Sequence, residues 1–230
     1  MYIHGLQRLT LLDFPGHLAC TVFLAGCNLR CPFCHNSALV LPNQLDPPVM
    51  EQQVFLDFLS GRKGKLTGVC ITGGEPTLHP SLPELIQTIK AMGFQIKLDT
   101  NGTNPKMLAQ LLEANLLDYV AMDIKNSPER YTQTCGGVEV LDSVKESVTL
   151  LMQSGIDYEF RSTVCHPLHD EAAIAAIGQW LQGAKAYYLQ QFVDSGNLIG
   201  SGMTPPTKDT MEKLQQAALP YIKNTILRGI

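Results

Sequence analysis

Three of the seven cysteines fall within eight positions, in the run Gly26-Cys27-Asn28-Leu29-Arg30-Cys31-Pro32-Phe33-Cys34-His35-Asn36. The spacing is C-x3-C-x2-C. Thiolates ligate zinc and iron–sulfur clusters, and a tight loop lets three converge on one centre. A structural zinc takes four protein ligands. Here the fourth would be His35, which follows Cys34 directly and would strain to share its metal, or a distant cysteine. No second C-x2-C pair is present. Three thiolates suit a cubane with three irons protected and one left open; a zinc knob is the competing reading. Asn28 and Pro32 mark the segment as a loop, where packing alone has no reason to gather cysteines. The other four, Cys20, Cys70, Cys135 and Cys165, are scattered. Cys20 and Cys70 sit in apolar β-like runs and read as small core residues. No targeting segment is visible, which places the protein in the cytosol, and an odd cysteine count there argues against a disulfide framework.

Further polar groups recur at regular places. Thr72-Gly73-Gly74-Glu75-Pro76 reads as a tight turn in which glycines admit close backbone approach and proline stiffens the exit. Asp99-Thr100-Asn101-Gly102 has the composition of an Asx-type turn. In Asp123-Ile124-Lys125, strand alternation points both charges to one face, where they must pair or meet a ligand if that face is interior. Arg161 offers a guanidinium for a carboxylate, whether on a ligand or on a neighbouring side chain. His79 and Pro80 receive no role, and His166 and His169, flanking Pro167, read as surface loop residues.

The elements that position these groups alternate. Strand-like runs cover 20–25, 68–72, 95–100, 119–124, 158–164 and 187–192. Helical patterns cover 51–59, 82–92, 106–114, 141–154, 171–181 and 208–218. In one, Leu82, Leu85, Ile86, Ile89 and Met92 recur at three and four positions, with Pro83 in the first turn and Gly93 as the stop. The strands are mostly continuous apolar runs, as parallel strands buried on both faces should be. Six βα units give either an open sheet or a partial barrel short of the eight that close fully. The polar groups above all follow strands, and chemistry in parallel α/β folds gathers at the carboxyl ends. One shared site is expected, in a single domain spanning residues 1–230. The tail, 220–230, reads as a short helix or strand.

Composition sets limits. At 45% hydrophobic and 17% charged the chain is globular in type, and a net charge of −4 gives no basic footprint for nucleic acid or an anionic membrane. Neither a signal peptide nor a spanning segment is visible.

The cysteine run, with the aromatic Phe33 before the third thiol, is similar to the signature of the radical S-adenosylmethionine (SAM) enzymes. The extension Cys34-His35-Asn36 resembles the activating enzymes of glycyl radical enzymes. Leu12-Asp13-Phe14-Pro15-Gly16, followed by Thr21-Val22-Phe23 and Gly26-Cys27, resembles the branch that activates anaerobic ribonucleoside-triphosphate reductase, and the Leu227-Arg228-Gly229 ending is similar too. The likeness runs from about Gly5 to the sixth strand. It implies a partial (β/α)6 barrel of the TIM type, one [4Fe–4S] cluster on Cys27, Cys31 and Cys34, and SAM on its open iron. It implies SAM contacts from Phe33, Cys34, His35, Gly73, Gly74, Glu75, Asp99, Asp123, Ile124, Lys125 and Arg161, with Glu75 at the methionine ammonium and Lys125 at its carboxylate. It implies reductive cleavage of SAM to a 5′-deoxyadenosyl radical, which takes hydrogen from a glycine of the partner. The partners implied are a glycyl radical enzyme, the ribonucleotide reductase foremost, and a flavodoxin- or ferredoxin-like electron donor.

One departure stands out. Some pyruvate formate-lyase activating enzymes carry a SAM-contacting histidine at the end of the sixth strand; Phe192 stands there, and Gln190 or Gln191 is the candidate substitute. The alternatives are activation of another glycyl radical enzyme, radical SAM chemistry on a small molecule, or an iron–sulfur electron carrier.

Overall fold

A computed structural model describes residues 1–194 and 196–230. The chain opens with β1 (Tyr2–Ile3), β2 (Gly5–Thr10), β3 (Ala19–Leu24), α1 (Ser37–Val40) and β4 (Met50–Glu51). There follow α2 (Gln52–Ser60), β5 (Gly68–Gly73), α3 (Leu82–Ala91), β6 (Gln95–Thr100), α4 (Pro105–Glu113) and β7 (Tyr119–Asp123). The remainder is α5 (Tyr131–Thr134), α6 (Leu141–Gln153), β8 (Asp157–Val164), α7 (Glu171–Trp180), β9 (Tyr187–Gln191), α8 (Lys208–Ala218) and β10 (Thr225–Arg228).

The principal sheet runs β10-β9-β8-β7-β6-β5-β3-β2. Every adjacent pair is parallel except β2 against β3. Its edges, β2 and β10, are not bonded to each other, so the sheet is a partial barrel with an open side. The six expected strands and six expected helices form, each within a residue or so of its expected ends. The tail resolves to a strand, β10, so the six units carry a seventh parallel strand. The sequence reading missed β2 because it is an edge strand with three exposed positions and no clean alternation. It also missed the small β1–β4 ribbon.

Local chemistry accounts for the element ends. The Asn104 side chain accepts from the Met107 N–H and Pro105 takes the first turn of α4, so that helix starts one residue earlier than periodicity indicates. Asp170 and Thr207 cap α7 and α8 in the same way. The core lies between strands and helices: Val22, Ile71, Leu98, Val120 and Phe160 from the strands meet Leu85, Ile89, Leu111, Val148 and Ile177, all fully or almost fully buried. This shell is what holds the strand carboxyl ends in one ring.

Candidate active site

A cavity of about 530 Å³ occupies the barrel interior and its carboxyl end. Cys27, Cys31 and Cys34 all line it, from the loop after β3. The loop is built by short-range bonds: the Cys34 N–H donates to the Cys31 carbonyl at 3.1 Å, and Arg30 Nη1 donates to the carbonyls of Cys27 and Leu29. Cys27 Sγ accepts from the Leu29 N–H at 3.4 Å and from Asn101 Nδ2 at 3.7 Å. Such donors suit a sulfur that carries negative charge as a metal ligand. Burial raises the Cys27 and Cys34 thiols above their ordinary value. Cys31 moves the other way, downward, chiefly through the neighbouring Cys135 thiol. Cys135 is thus scattered only in sequence. It is fully buried against the cysteine loop, and its carbonyl accepts the Arg30 N–H at 3.1 Å.

The Gly73-Gly74 turn presses against the same loop. A Cβ on Gly74 would lie 2.0 Å from the Gly26 carbonyl oxygen, and one on Gly73 would lie 2.1 Å from that of Leu24. The Gly74 N–H donates to Leu24 O at 2.8 Å and the Glu75 N–H to Gly26 O at 2.7 Å. His79, left without a role by sequence, bonds Ala25 O at 2.9 Å and ties the turn down further.

Three of the residues expected to contact SAM, Gly74, Glu75 and Ile124, are not on the cavity lining. Glu75 is fully buried and does not line the cavity. Its Oε1 accepts from the Thr77 N–H, Thr77 Oγ1 and Thr100 Oγ1, and its Oε2 from the Asn101 N–H at 2.6 Å. Burial pushes its carboxyl up while these donors pull it back, and the net direction is upward. The carboxylate staples the β5 and β6 exits together. Ile124 is also fully buried and outside the cavity lining; its N–H donates to Arg161 O and its carbonyl accepts from Ser162 Oγ. It serves the sheet. Gly74 lies just behind the lining, while Gly73 is on it.

Phe33, His35, Asp99, Asp123, Lys125 and Arg161 do line the cavity. Four of them belong to one chain of charges. Lys97 pairs with Asp99, Asp99 with Arg161 Nη1 at 3.2 Å, Arg161 Nε with Asp123, and Asp123 with Lys125 Nζ at 2.8 Å. Burial works to raise Asp99 and Asp123, but Arg161, with Lys97 and Lys125 respectively, outweighs it and holds both below the usual carboxylate range. Burial likewise works against the Lys125 cation, and Asp123 more than restores it. Arg161 answers the question left by its residue type: its guanidinium is engaged by two carboxylates of the site itself.

Lys97 was missed. It is 2% exposed, lines the cavity, and lies one strand alternation before Asp99. That same-face spacing was the available signal. His169 also differs from expectation: it is 1% exposed, its Nε2 lies 2.9 Å from Lys125 O, and its ring edge faces Phe33 at 6.2 Å. His166 is exposed as expected. On β9, Gln190 lines the cavity, whereas Gln191 donates to Pro206 O and Phe192 is buried.

The donor set fits a cluster of the three-thiolate kind. Three thiols share one cavity, and its volume, within the ordinary range for ligand sites, leaves room beyond them among paired charges.

A partial barrel with a three-thiol loop after its first parallel strand defines the class to which the sequence then answers. The Radical SAM superfamily profile matches residues 21–180. A Methanocaldococcus jannaschii protein provisionally named a glycyl-radical enzyme activating enzyme is 30% identical over 235 residues, spanning 99% of this chain and 96% of its own. A domain of pyruvate-formate lyase-activating enzyme from Bacteroides vulgatus superposes with a TM-score of 0.55 at 16% identity, over 71% of this chain and 99% of that one. Streptococcus suis SuiB, solved with precursor peptide SuiA, superposes with a TM-score of 0.68 at 16% identity, over 95% of this chain and 50% of that one. The protein belongs to the radical SAM superfamily, whose enzymes use a [4Fe–4S] cluster and SAM. The structural neighbours bear on the fold alone. Among the described residues no helix is long and apolar enough to cross a membrane.

Proposed function

We propose that this protein is an activase that installs a glycyl radical on a partner enzyme, with anaerobic ribonucleoside-triphosphate reductase as that partner. The observation that carries the reading is the convergence of three thiols, the Gly73 turn and a buried charge chain on one cavity, in a chain similar over 99% of its length to a protein provisionally named as such an activase. The ribonucleotide reductase is preferred on the Leu12–Gly16 resemblance and on Phe192, which lacks the histidine of some pyruvate formate-lyase activases.

Cys27, Cys31 and Cys34 would hold the cluster. When bound and reduced by a flavodoxin- or ferredoxin-like donor, it would supply the electron for reductive cleavage of SAM to methionine and the 5′-deoxyadenosyl radical that would take a hydrogen atom from the partner's glycine. The protein's part is binding and orientation. Lys125, anchored by Asp123, offers its ammonium to the SAM carboxylate, and the Gly73 turn offers backbone to the methionine portion. Phe33 and His35 would cover the thiol side, and Asp99 would be available to the ribose. Residues 1–230 would act as one radical SAM domain in the cytosol, with neither nucleic acid nor membrane as partner.

The test is anaerobic. Reconstituted protein with SAM and dithionite should release 5′-deoxyadenosine, and with the reductase it should produce a glycyl radical signal by electron paramagnetic resonance. No 5′-deoxyadenosine would overturn the enzyme reading. A signal with pyruvate formate-lyase and none with the reductase would overturn the choice of partner.

A further inference from the structure

On the wall of the cavity contributed by the last strands, Arg228 has been given no role above. The inward row of this wall is set by register: Arg228 on β10 is opposite Gln190 on β9, and Gln190 is opposite Thr163 on β8. All three line the cavity. Across the open side, Gln7 on β2 lines it as well. This row therefore stands at the gap between the two unbonded edges of the sheet.

Arg228 is held on two sides, with 39% of its side chain accessible. Its Nη1 and Nη2 donate to Glu159 Oε1 and Oε2 at 3.1 and 3.4 Å, and its guanidinium carbon lies 4.0 Å from the centre of the Tyr188 ring. Glu159 is 1% exposed and also accepts from Tyr119 Oη at 2.9 Å. A guanidinium has five N–H donors. Two are spent on Glu159, and no other acceptor is recorded among the described residues. Arg228 thus presents spare donors at a cavity wall, with the Gln190 amide beside it in register.

The charge balance selects the ligand. Glu159 neutralises Arg228, and Asp99 neutralises Lys97. Asp13 lines the same cavity, with its carboxylate accepting from Thr21 Oγ1. No cationic surplus is left on this wall for a phosphate, whereas guanidinium donors and amides match uncharged peptide groups.

We propose that Arg228 binds main-chain carbonyls of an extended, glycine-containing peptide segment entering between β2 and β10. Glu159 and Tyr188 are its positioning residues. The inference rests on the activase reading and deepens it by assigning the substrate wall. It also gives the C-terminal strand a purpose, the delivery of Arg228 to that wall.

The test uses reconstituted holoenzyme with SAM and dithionite. The probe is a capped alanine nonapeptide whose central glycine carries two α-deuteriums. Wild type should transfer deuterium into 5′-deoxyadenosine. Arg228→Gln should lower the deuterated fraction about tenfold, as for loss of a charge-assisted hydrogen bond, with total 5′-deoxyadenosine within about twofold of wild type. Arg228→Lys should recover part of the transfer. Because Arg228→Gln leaves Glu159 buried without its cation, Glu159→Gln/Arg228→Gln removes both charges together and should show the same loss. Unchanged deuterium transfer in both variants overturns the proposal, as does a parallel fall in total 5′-deoxyadenosine, which would assign Arg228 to the SAM site. Absence of transfer by wild type overturns main-chain recognition. The activase reading is judged separately, by the glycyl radical signal on the reductase.

Discussion

Gly74 offers a direct test of how the site is assembled. In Gly74→Ala the new Cβ would start 2.0 Å from the Gly26 carbonyl oxygen, inside the 3.0 Å that real Cβ contacts respect. The obstacle is backbone, so no side chain can swing aside. Relief requires the turn and the cysteine loop to part by at least about 1 Å, the difference of those two distances. That shift breaks the bonds from Gly74 N–H to Leu24 O and from Glu75 N–H to Gly26 O, now 2.8 and 2.7 Å. Each buried donor left unpaired costs about 1–3 kcal/mol, so Gly74→Ala should lose about 2–6 kcal/mol. Urea unfolding of the metal-free protein measures the loss, and iron bound per chain after anaerobic reconstitution measures the damage to the loop. Gly61→Ala is the control. Gly61 has φ −71°, and its nearest Cβ neighbour would be 3.6 Å away, so alanine there should be neutral or stabilise by about 0.4–1 kcal/mol. If Gly74→Ala unfolds with Gly61→Ala and binds full iron, the contact between turn and loop is not what sets the site.

Glu75→Gln keeps the shape but turns an amide donor toward one of the four donors around the carboxylate. It should cost about 1–3 kcal/mol in urea unfolding, and a variant as stable as wild type would refute the staple role. Lys97→Met leaves Asp99 with Arg161 as its remaining cation and should lower stability by about 1–3 kcal/mol, short of the larger loss for a fully orphaned charge; an unchanged urea midpoint at pH 7 would show that Lys97 contributes nothing to the chain. The pH profile has a defined sign. Asp99 and Asp123 titrate below their ordinary value of about 3.8 when folded, so their contribution is complete above that pH and lost as pH falls through the lower folded values. Urea midpoints should therefore show no loss from this pair between pH 7 and 5 and a fall below about pH 4, and Lys97→Met should reduce the fall.

What the sequence disclosed, it disclosed through local signals. The cysteine run needs only spacing, and the buried parallel strands need only continuous apolar runs such as Val69–Ile71. Glu75, a carboxylate after two glycines, reads from sequence as a ligand group, and its structural role does not show there. Its four donors come from Thr77, Thr100 and Asn101, and the pairing of β5 with β6 that brings the last two near is invisible without topology. Lys97 was overlooked because a lone lysine in a strand reads as exposed. The strand order turns it inward, with Asp99 as its partner. Cys135 lies 104 positions beyond Cys31 in sequence, and only the packing of the segment after α5 against the cysteine loop unites them.

The charge chain bears on why Arg161, with 19% of its side chain accessible, is drawn into the barrel. Withdrawing five ions largely from water costs more than burying apolar groups of the same volume, so stability alone does not account for Lys97, Asp99, Arg161, Asp123 and Lys125. Arranged with alternating sign, each carboxylate meets two cations, and three cations against two carboxylates leave one positive charge in surplus. The surplus belongs to an end of the chain, because Arg161 in the middle is shared by both carboxylates. Of the two ends, Lys97 is 2% exposed and Lys125 is nearer the solvent-reached rim, with 17% of its side chain accessible and its Nζ 6.0 Å from the Phe33 ring beside the thiols. Arg161 thereby fixes Asp123, Asp123 fixes the Lys125 ammonium, and a single preorganised cation is presented where an anionic ligand group would meet the thiol loop. Such fixed charge needs no reorganisation when the ligand arrives, which is the form of electrostatic assistance a radical-generating site can use.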